Sequence, residues 1–293
     1  MLNSSRIHKL CYNIRMTKSK RPKIGLALGS GGARGIAHIG VIKILEENHI
    51  PIDYIAGTSI GALVGGFFAA GLDIKEIERL SLETNWRKVF SFLDPRLTQS
   101  LIGGEKVKTF INEQIGSKTF EECRIPFTAV ATDLKNGEIV SMNTGDMASA
   151  IRASISIPLV FKPVETFDKL LADGGLSAPV PVEIVRNMGA DIVIAVNLNK
   201  HYCDEDWKPG WYNIADNSLN ILQHHLAQFN VRNADLVIDI NAGQSSWYDF
   251  VNGKDKIAIG EKAAEDILPK LRELIAEKRG GWSLKKIISW FRS

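Results

Sequence analysis

The stretch YIAGTSIGALVGG, Tyr54 to Gly66, decides the architecture. It opens on a short apolar run, passes through one serine, and continues as small and aliphatic residues. A strand, a tight turn and a helix fit that order. Gly57 and Gly61 bracket Ser59 in the G-x-S-x-G spacing of a nucleophile elbow. Such a turn holds its serine in a strained backbone conformation, and the flanking glycines remove side chains that would collide with it. The hydroxyl then stands beside a helix N-terminus, where developing negative charge is favoured. A plain helix cap fits the same residues. The reading as a nucleophile therefore depends on partners elsewhere in the chain.

Upstream, KIGLALG (23–29) reads as a buried strand ending in glycines. In GIAHIGVIKILEEN (35–48), Ile36, Ile39, Ile42 and Leu45 recur every third residue, with Val41 and Ile44 beside them. That spacing predicts a helix buried over much of its surface. IDYIAG (52–57) and IGALVGGFFAA (60–70) repeat the alternation. Strand, helix, strand, helix is the mark of an α/β fold with a parallel sheet and crossover helices. Residues 72–115 read mostly as helices with loops. IPFTAVATDL (125–134), GEIVSMN (137–143), ADIVIAVNLN (190–199) and ADLVIDIN (234–241) read as strands, the third of them central. MASAIRASIS (147–156) reads as a helix that stops before Pro158, and PVPVEIVRNMG (179–189) as one with proline at its start. KLLADGG (169–175) ends in a glycine turn. NKHYCDEDWKPGWYN (199–213) interrupts the rhythm, as a surface loop, a substrate-facing lid or a partner contact. The simplest division is a basic N-terminal extension over 1–22, one α/β domain over 23–280, and a terminal helix over 281–293.

The chain of 293 residues is 45% hydrophobic and 24% charged, enough apolar material for a sizeable core. A formal net charge of +3 gives no sign of a nucleic-acid partner. Basic residues crowd the start, and no acidic residue precedes Glu46. That segment is either a solvated tail or an arm that touches anionic lipid or another protein. Cys11, Cys123 and Cys203 form neither a metal-ligand spacing nor a disulfide framework, which fits a reducing cytoplasm. No apolar run reaches the length of a membrane span. GGWSLKKIISWFRS, at the C-terminus, places Leu284, Ile287, Ile288 and Phe291 on one helical face, with Lys285, Lys286 and Arg292 off it. Such a helix either lies in a membrane interface, making a transient peripheral contact at the inner face of the membrane, or docks on protein.

GSGGARG (29–35) is a second glycine turn between a strand and a helix. Gly31 and Gly32 have backbone N–H groups free to converge on one point, as an oxyanion hole requires. Glycine turns before helices also bind phosphate. The spacing here is not G-x-G-x-x-G, because Ser30 and Arg34 occupy positions that would need glycine. There is no P-loop lysine, and no acidic residue ends the second strand. Of the six histidines, none occupies a turn after a strand; they read as surface or packed residues. Asp173 does stand at such a turn, where Gly174 and Gly175 permit close approach. A carboxylate touching Ser59 would take its proton without histidine, although an ordinary turn aspartate fits the position too.

Together these loops resemble the patatin-like phospholipases, including the bacterial branch related to neuropathy target esterase. GLALGSGGARGIAHIGV, AGTSIGALVGG and ADGGLSAPVPV resemble the family's oxyanion, elbow and aspartate segments, with VATDLKNGE and IRASISIPLVFKPV as further matches. The resemblance runs from about Ile24 to Asn199. It implies a three-layer α/β/α fold with a mainly parallel central sheet. It implies hydrolysis of phospholipid or lysophospholipid esters by a Ser59–Asp173 dyad, through an acyl-serine. An oxyanion hole of Gly31 and Gly32, supported by Arg34 and Gly35, follows from it as well, and no metal or other cofactor is called for. The family signature is often written with glycine where Ser30 stands. A nucleotide- or phosphate-binding protein and a non-catalytic adaptor are the rival readings.

Overall fold

The computed structural model describes residues 21–89, 104–166, 168–199, 210–241, 250 and 252–279. The basic extension up to residue 20, residues 200–209 of the irregular loop, and the terminal helix over 281–293 lie outside the described residues. Two compact units result from the contacts, Lys23–Ile267 and a second unit of 1–22 with 268–293. In the second unit the described residues are Arg21, Pro22 and a helical stretch over 268–279. Every site residue considered below lies in the first.

In chain order the first unit opens with β1 (Ile24–Leu28), a 3-10 turn (Gly32–Ile36) and α1 (Ala37–Glu47). β2 (Tyr54–Thr58), α2 (Ile60–Ala69), α3 (Ile74–Glu83), α4 (Trp86–Val89) and α5 (Glu105–Ile115) follow. Then come β3 (Phe127–Asp133), β4 (Ile139–Met142), α6 (Met147–Ser154), β5 (Val164–Thr166) and β6 (Lys169–Asp173). α7 (Val182–Asn187), β7 (Ile192–Asn197), α8 (Trp211–Asn230), β8 (Leu236–Asp239) and α9 (Gly253–Arg279) complete the described strands and α-helices. Two boundaries and one strand depart from the sequence reading. The first helix is preceded by a 3-10 turn rather than starting at residue 35. Trp211 to Asn213 are helical, not loop. β5 has no sequence signature, because three half-buried or exposed residues carry no alternation.

Among the described residues eight strands form one sheet, bonded in the order β5-β6-β3-β2-β1-β7-β8, with β4 also on β3. β3, β2, β1, β7 and β8 run parallel; β4 and β6 run antiparallel to β3, and β5 pairs antiparallel with β6. The sheet is therefore mixed, parallel at its centre and antiparallel at one edge.

Side-chain alternation along the strands sorts residues by size. Gly25, Ala27, Ala56 and Ala195 turn to the face covered by α7. A Cβ at Gly25 would lie 2.1 Å from Val185 of that helix. Leu28 and Ile55 turn to the other face, where Gly65 of α2 sits so close that a Cβ would lie 2.8 Å from Leu28 and 3.0 Å from Ile55. Helices thus cover both faces, and small residues set how near each one comes.

The edge near β3 positions the candidate site. Successive peptide groups along a strand turn to opposite flanks. Pro126 O accepts from Ile55 N at 3.0 Å and Leu134 N donates to Leu170 O at 2.8 Å, whereas Asp133 N donates to Glu138 O at 3.0 Å. Positions 126 and 134 share one parity and 133 has the other. β2 and β6 therefore occupy the same flank of β3, one after the other, and β4 takes the opposite flank. β2 stops at Thr58, opposite Val130; β6 arrives from the other direction and stops at Asp173, opposite Ala131. The C-terminal ends of two strands meet head to head, one residue apart along β3.

α1 crosses α9 at backbone contact. A Cβ at Gly40 would lie 2.1 Å from Ile257 O, and one at Gly260 would lie 2.0 Å from Ala37 O. Lys43 reaches across to Glu261 at 2.6 Å. Helix propensity favours alanine over glycine by about 1 kcal/mol. Here the new methyl group would meet main chain that has no room to yield. Gly260→Ala should destabilise the protein by about 2–3 kcal/mol, read as a lower urea midpoint with an unchanged m-value. Glu261→Gln, which neutralises one partner of a half-buried pair, should cost about 1 kcal/mol or less.

Candidate active site

Ser59 follows directly on β2 with φ 56 and ψ −124, a conformation that disfavours any side chain. Its neighbours explain how the turn closes. A Cβ at Gly57 would lie 2.4 Å from Gly61 O, and one at Gly61 would lie 2.2 Å from Leu28 O. Glycine at both places lets the turn fold onto itself and onto the end of β1. Ser59 N–H donates to Ser154 Oγ at 2.9 Å, and that hydroxyl donates to Val130 O at 2.6 Å. The sheet ladder thus continues through one inserted side chain where β2 leaves β3.

Asp173 ends β6 at the meeting point. Ser59 Oγ donates to its Oδ2 at 2.5 Å, and Gly175 N–H donates to its Oδ1 at 2.7 Å. Three further contacts lock the junction. Thr58 Oγ1 donates to Ala178 O at 2.8 Å, Thr132 Oγ1 donates to Asp173 O at 3.0 Å, and Asp173 N–H donates to Ser156 O at 3.0 Å. A Cβ at Gly174 would lie 2.3 Å from Val130 O, so glycine there is what allows β6 to reach the elbow. Asp173 is 3% exposed and Ser59 5%. Burial pushes the Asp173 carboxyl up to about 6, against the pull of the hydrogen bonds from Ser59 and Gly175. It is ionised at neutral pH, yet far more basic than an exposed carboxylate.

The glycine loop lies against the same elbow: a Cβ at Gly35 would lie 2.2 Å from Ile60. Its carbonyls are held one by one. Gly29 O accepts from His38 Nε2 at 2.8 Å, Ser30 O from Asn199 Nδ2 at 3.0 Å, and Gly31 O from Arg34 Nε at 3.2 Å. In a trans peptide the N–H of the next residue points away from the carbonyl. Ser30 N–H accordingly turns to Pro179 O, 2.8 Å away. Among the described residues no acceptor takes the N–H groups of Gly31 and Gly32. Gly32 has φ 56, which glycine adopts without strain. Ser30 has no positive φ, so a serine fits where the family signature has glycine. Arg34 spends its backbone N–H on Gly31 O at 3.3 Å and extends its guanidinium to Asn199 Oδ1 at 3.2 Å.

The structure therefore brings Ser59, Asp173, Gly57, Gly61 and the loop of Gly31, Gly32, Arg34 and Gly35 together. Among the described residues no histidine bonds to Ser59 or Asp173. His38 is buried and pushed down to about 4 by that burial, so it is neutral and carries its proton on the Nε2 that faces Gly29 O. His8 and His201 lie outside the described residues. Sequence reading missed Ser154, His38 and Asn199 as parts of the site. Each acts on a segment distant in sequence or on main chain, and no local motif marks that. Cys123 is free and half-buried, 3.2 Å from Met147 Sδ. No described helix is long and apolar enough to cross a membrane.

Residues 26–186 match the family model of the patatin-like phospholipases. An NTE family protein of Mycobacterium bovis is 43% identical over 187 residues, 64% of this chain and 52% of that protein. A lysophospholipase of Yarrowia lipolytica is 33% identical over 181 residues, 60% of this chain and 12% of that protein. This chain spans about half the length of the mycobacterial relative and much less of the fungal one. The crystal structure of VipD from Legionella pneumophila shares the fold, with a TM-score of 0.52 at 15% identity over 85% of this chain and 67% of that one.

The raised carboxyl of Asp173 predicts how stability depends on pH. The folded protein holds this proton up to about pH 6, while the unfolded chain releases it near pH 4. The group's favourable contribution is thus complete below about pH 4 and is lost as pH rises to about 6, at a cost of roughly 3 kcal/mol above it. Asp173→Asn keeps the shape and removes the ionisation. Urea unfolding should find the variant more stable than the parent at about pH 8, with the difference shrinking towards about pH 4.

Proposed function

The chain belongs to the patatin-like phospholipase family, and from that premise we propose that it is a serine acyl hydrolase. Its substrates are carboxylic esters of phospholipids or lysophospholipids. Ser59 is the nucleophile and Asp173 the base. The observation that carries this reading is the 2.5 Å hydrogen bond from a hydroxyl on a strained elbow to a buried carboxylate.

The mechanism follows from the partners of each atom. As Ser59 Oγ attacks the ester carbonyl, its proton passes to Asp173 Oδ2. A carboxylate raised to about 6 accepts it more readily than an exposed one. Gly175 N–H, on Oδ1, keeps the carboxylate turned towards the serine. The carbonyl oxygen becomes an oxyanion and is received by the N–H groups of Gly31 and Gly32. Each such donor is worth about 3–4 kcal/mol in comparable sites. Asp173 then gives its proton to the departing alkoxide, leaving an acyl-serine. Water repeats the sequence: Asp173 takes its proton, its oxygen attacks the acyl carbon, and Ser59 leaves with the proton restored as the fatty acid departs. Arg34 and Gly35 support the loop without touching the reacting atoms.

The relatives support a lipid ester, and one of them is itself a lysophospholipase. The basic extension, the proposed hydrolase region over 23–280 and the terminal helix would together bring the site to a phospholipid surface, peripherally and from the cytoplasm.

A fluorophosphonate probe should label the wild-type protein and fail to label Ser59→Ala. On a soluble 4-nitrophenyl ester, Ser59→Ala and Asp173→Asn should each lose at least about 1,000-fold in kcat/KM. The wild-type kcat/KM should fall as pH drops through about 6, because the carboxyl of Asp173 must be ionised. Retained labelling of Ser59→Ala, or a rate that falls as pH rises through about 6, would overturn the dyad.

A further inference from the structure

Asn199 lies two residues beyond the end of β7, 169 residues from the glycine loop it touches. All of its polar atoms are engaged. Its N–H donates to Asn197 Oδ1 at 2.9 Å, and its carbonyl accepts from His224 Nδ1 of α8 at 2.5 Å. Its side-chain Nδ2 donates to Ser30 O at 3.0 Å and lies 3.3 Å from Ser30 Oγ. Its Oδ1 accepts from Arg34 Nη2 at 3.2 Å. Asn197 is anchored in turn, donating from Nδ2 to Asp239 Oδ1 on β8 at 2.9 Å. Asn197 and Asn199 are both buried.

We propose that Asn199 is the positioning residue of the oxyanion hole, setting the directions of the Gly31 and Gly32 N–H groups by gripping the two peptides that contain them. The inference rests on the reading that those two groups receive the oxyanion. It assigns the task to a residue outside the loop, beyond the span of the family-model match.

The geometry supplies the reason. The Ser30 carbonyl and the Gly31 N–H belong to one planar peptide and point in opposite directions. A donor on Ser30 O therefore aims the Gly31 N–H. The Gly31 carbonyl is held by Arg34 Nε, which aims the Gly32 N–H in the same way. Arg34 is itself steadied by Asn199 Oδ1. One flat amide, a donor at one end and an acceptor at the other, thus orients two consecutive peptides. Glycines do not hold such an orientation by themselves, because they have the widest conformational freedom. A neutral amide meets both demands at once. A carboxylate would keep the grip on Arg34 and present an oxygen to the Ser30 carbonyl, driving that peptide away.

That asymmetry gives the test. Asn199→Asp preserves size and the Arg34 partner but removes the donor to Ser30 O. Its kcat on 4-nitrophenyl butyrate should fall on the order of 10- to 100-fold, with KM within about twofold of wild type, since oxyanion donors act in the transition state. Asn199→Ala should lose as much. Circular dichroism and urea unfolding verify that each variant is folded. If Asn199→Asp does not fold, the smaller and uncharged Asn199→Ser replaces it with the same expected loss. A folded variant with wild-type kcat, or a loss confined to KM, would overturn the positioning role. Ser59→Ala, assayed alongside, separates the two layers of the argument. Full activity in Ser59→Ala would overturn the catalytic reading itself. An inactive Ser59→Ala beside a fully active Asn199→Asp would overturn only the role of Asn199.

Discussion

Two strands end against each other on one flank of β3, and the candidate site is the gap between them. β2 climbs that flank to Val130 and β6 descends it to Ala131. A parallel strand and an antiparallel strand sharing a flank is the only arrangement here that puts both C-terminal ends at one point. The peptide groups left unpaired there are satisfied by side chains: Ser154 bridges Ser59 to Val130, and Thr132 holds Asp173 O. Strain at Ser59, of order 1–3 kcal/mol for such a backbone conformation, persists because these bonds and the glycine contacts leave the turn no other shape.

The same gap sets the electrostatics. Asp173 is buried, and its two oxygens are satisfied by one hydroxyl and one backbone N–H. Two donors hold the charge without fully replacing water, so the carboxyl stays about two pH units more basic than an exposed aspartate. With more donors it would be too weak a base for a serine hydroxyl; with none it would be protonated at neutral pH. The glycine loop follows a related logic. The carbonyls of Gly29, Ser30 and Gly31 are held by side chains, His38, Asn199 and Arg34, and among the described residues the N–H groups of Gly31 and Gly32 are left over. Side chains fix the directions of the backbone, and the backbone offers the charge.

Much of this was legible in the chain. The elbow glycines, the glycine loop and the Asp-Gly-Gly turn are local signals, since each reports a tight turn or a close approach that only glycine permits. The alternation of strand and helix gave the α/β class for the same reason, as periodicity is a property of neighbouring residues. The antiparallel edge was only half visible. β5 is too short for alternation to register, and pairing partners leave no mark within a strand. Arg34 reads as a support for the glycine loop from its place in the motif, but that its guanidinium turns back to Gly31 O is a contact no spacing shows. His38 looked like a packed histidine, which it is, yet the atom it packs against is a loop carbonyl.

By itself the sequence determined which segments turn sharply, which strands are buried on both faces, and that one serine and one aspartate stand at glycine turns. Those are consequences of local sterics and of side-chain period. Only the tertiary structure decided that the two turns are the same place, because register along β3 is a relation between segments 114 residues apart. It also decided that Asn199 reaches the glycine loop, since a hydrogen bond to a main-chain carbonyl depends on where the peptide lies and not on which residue carries it.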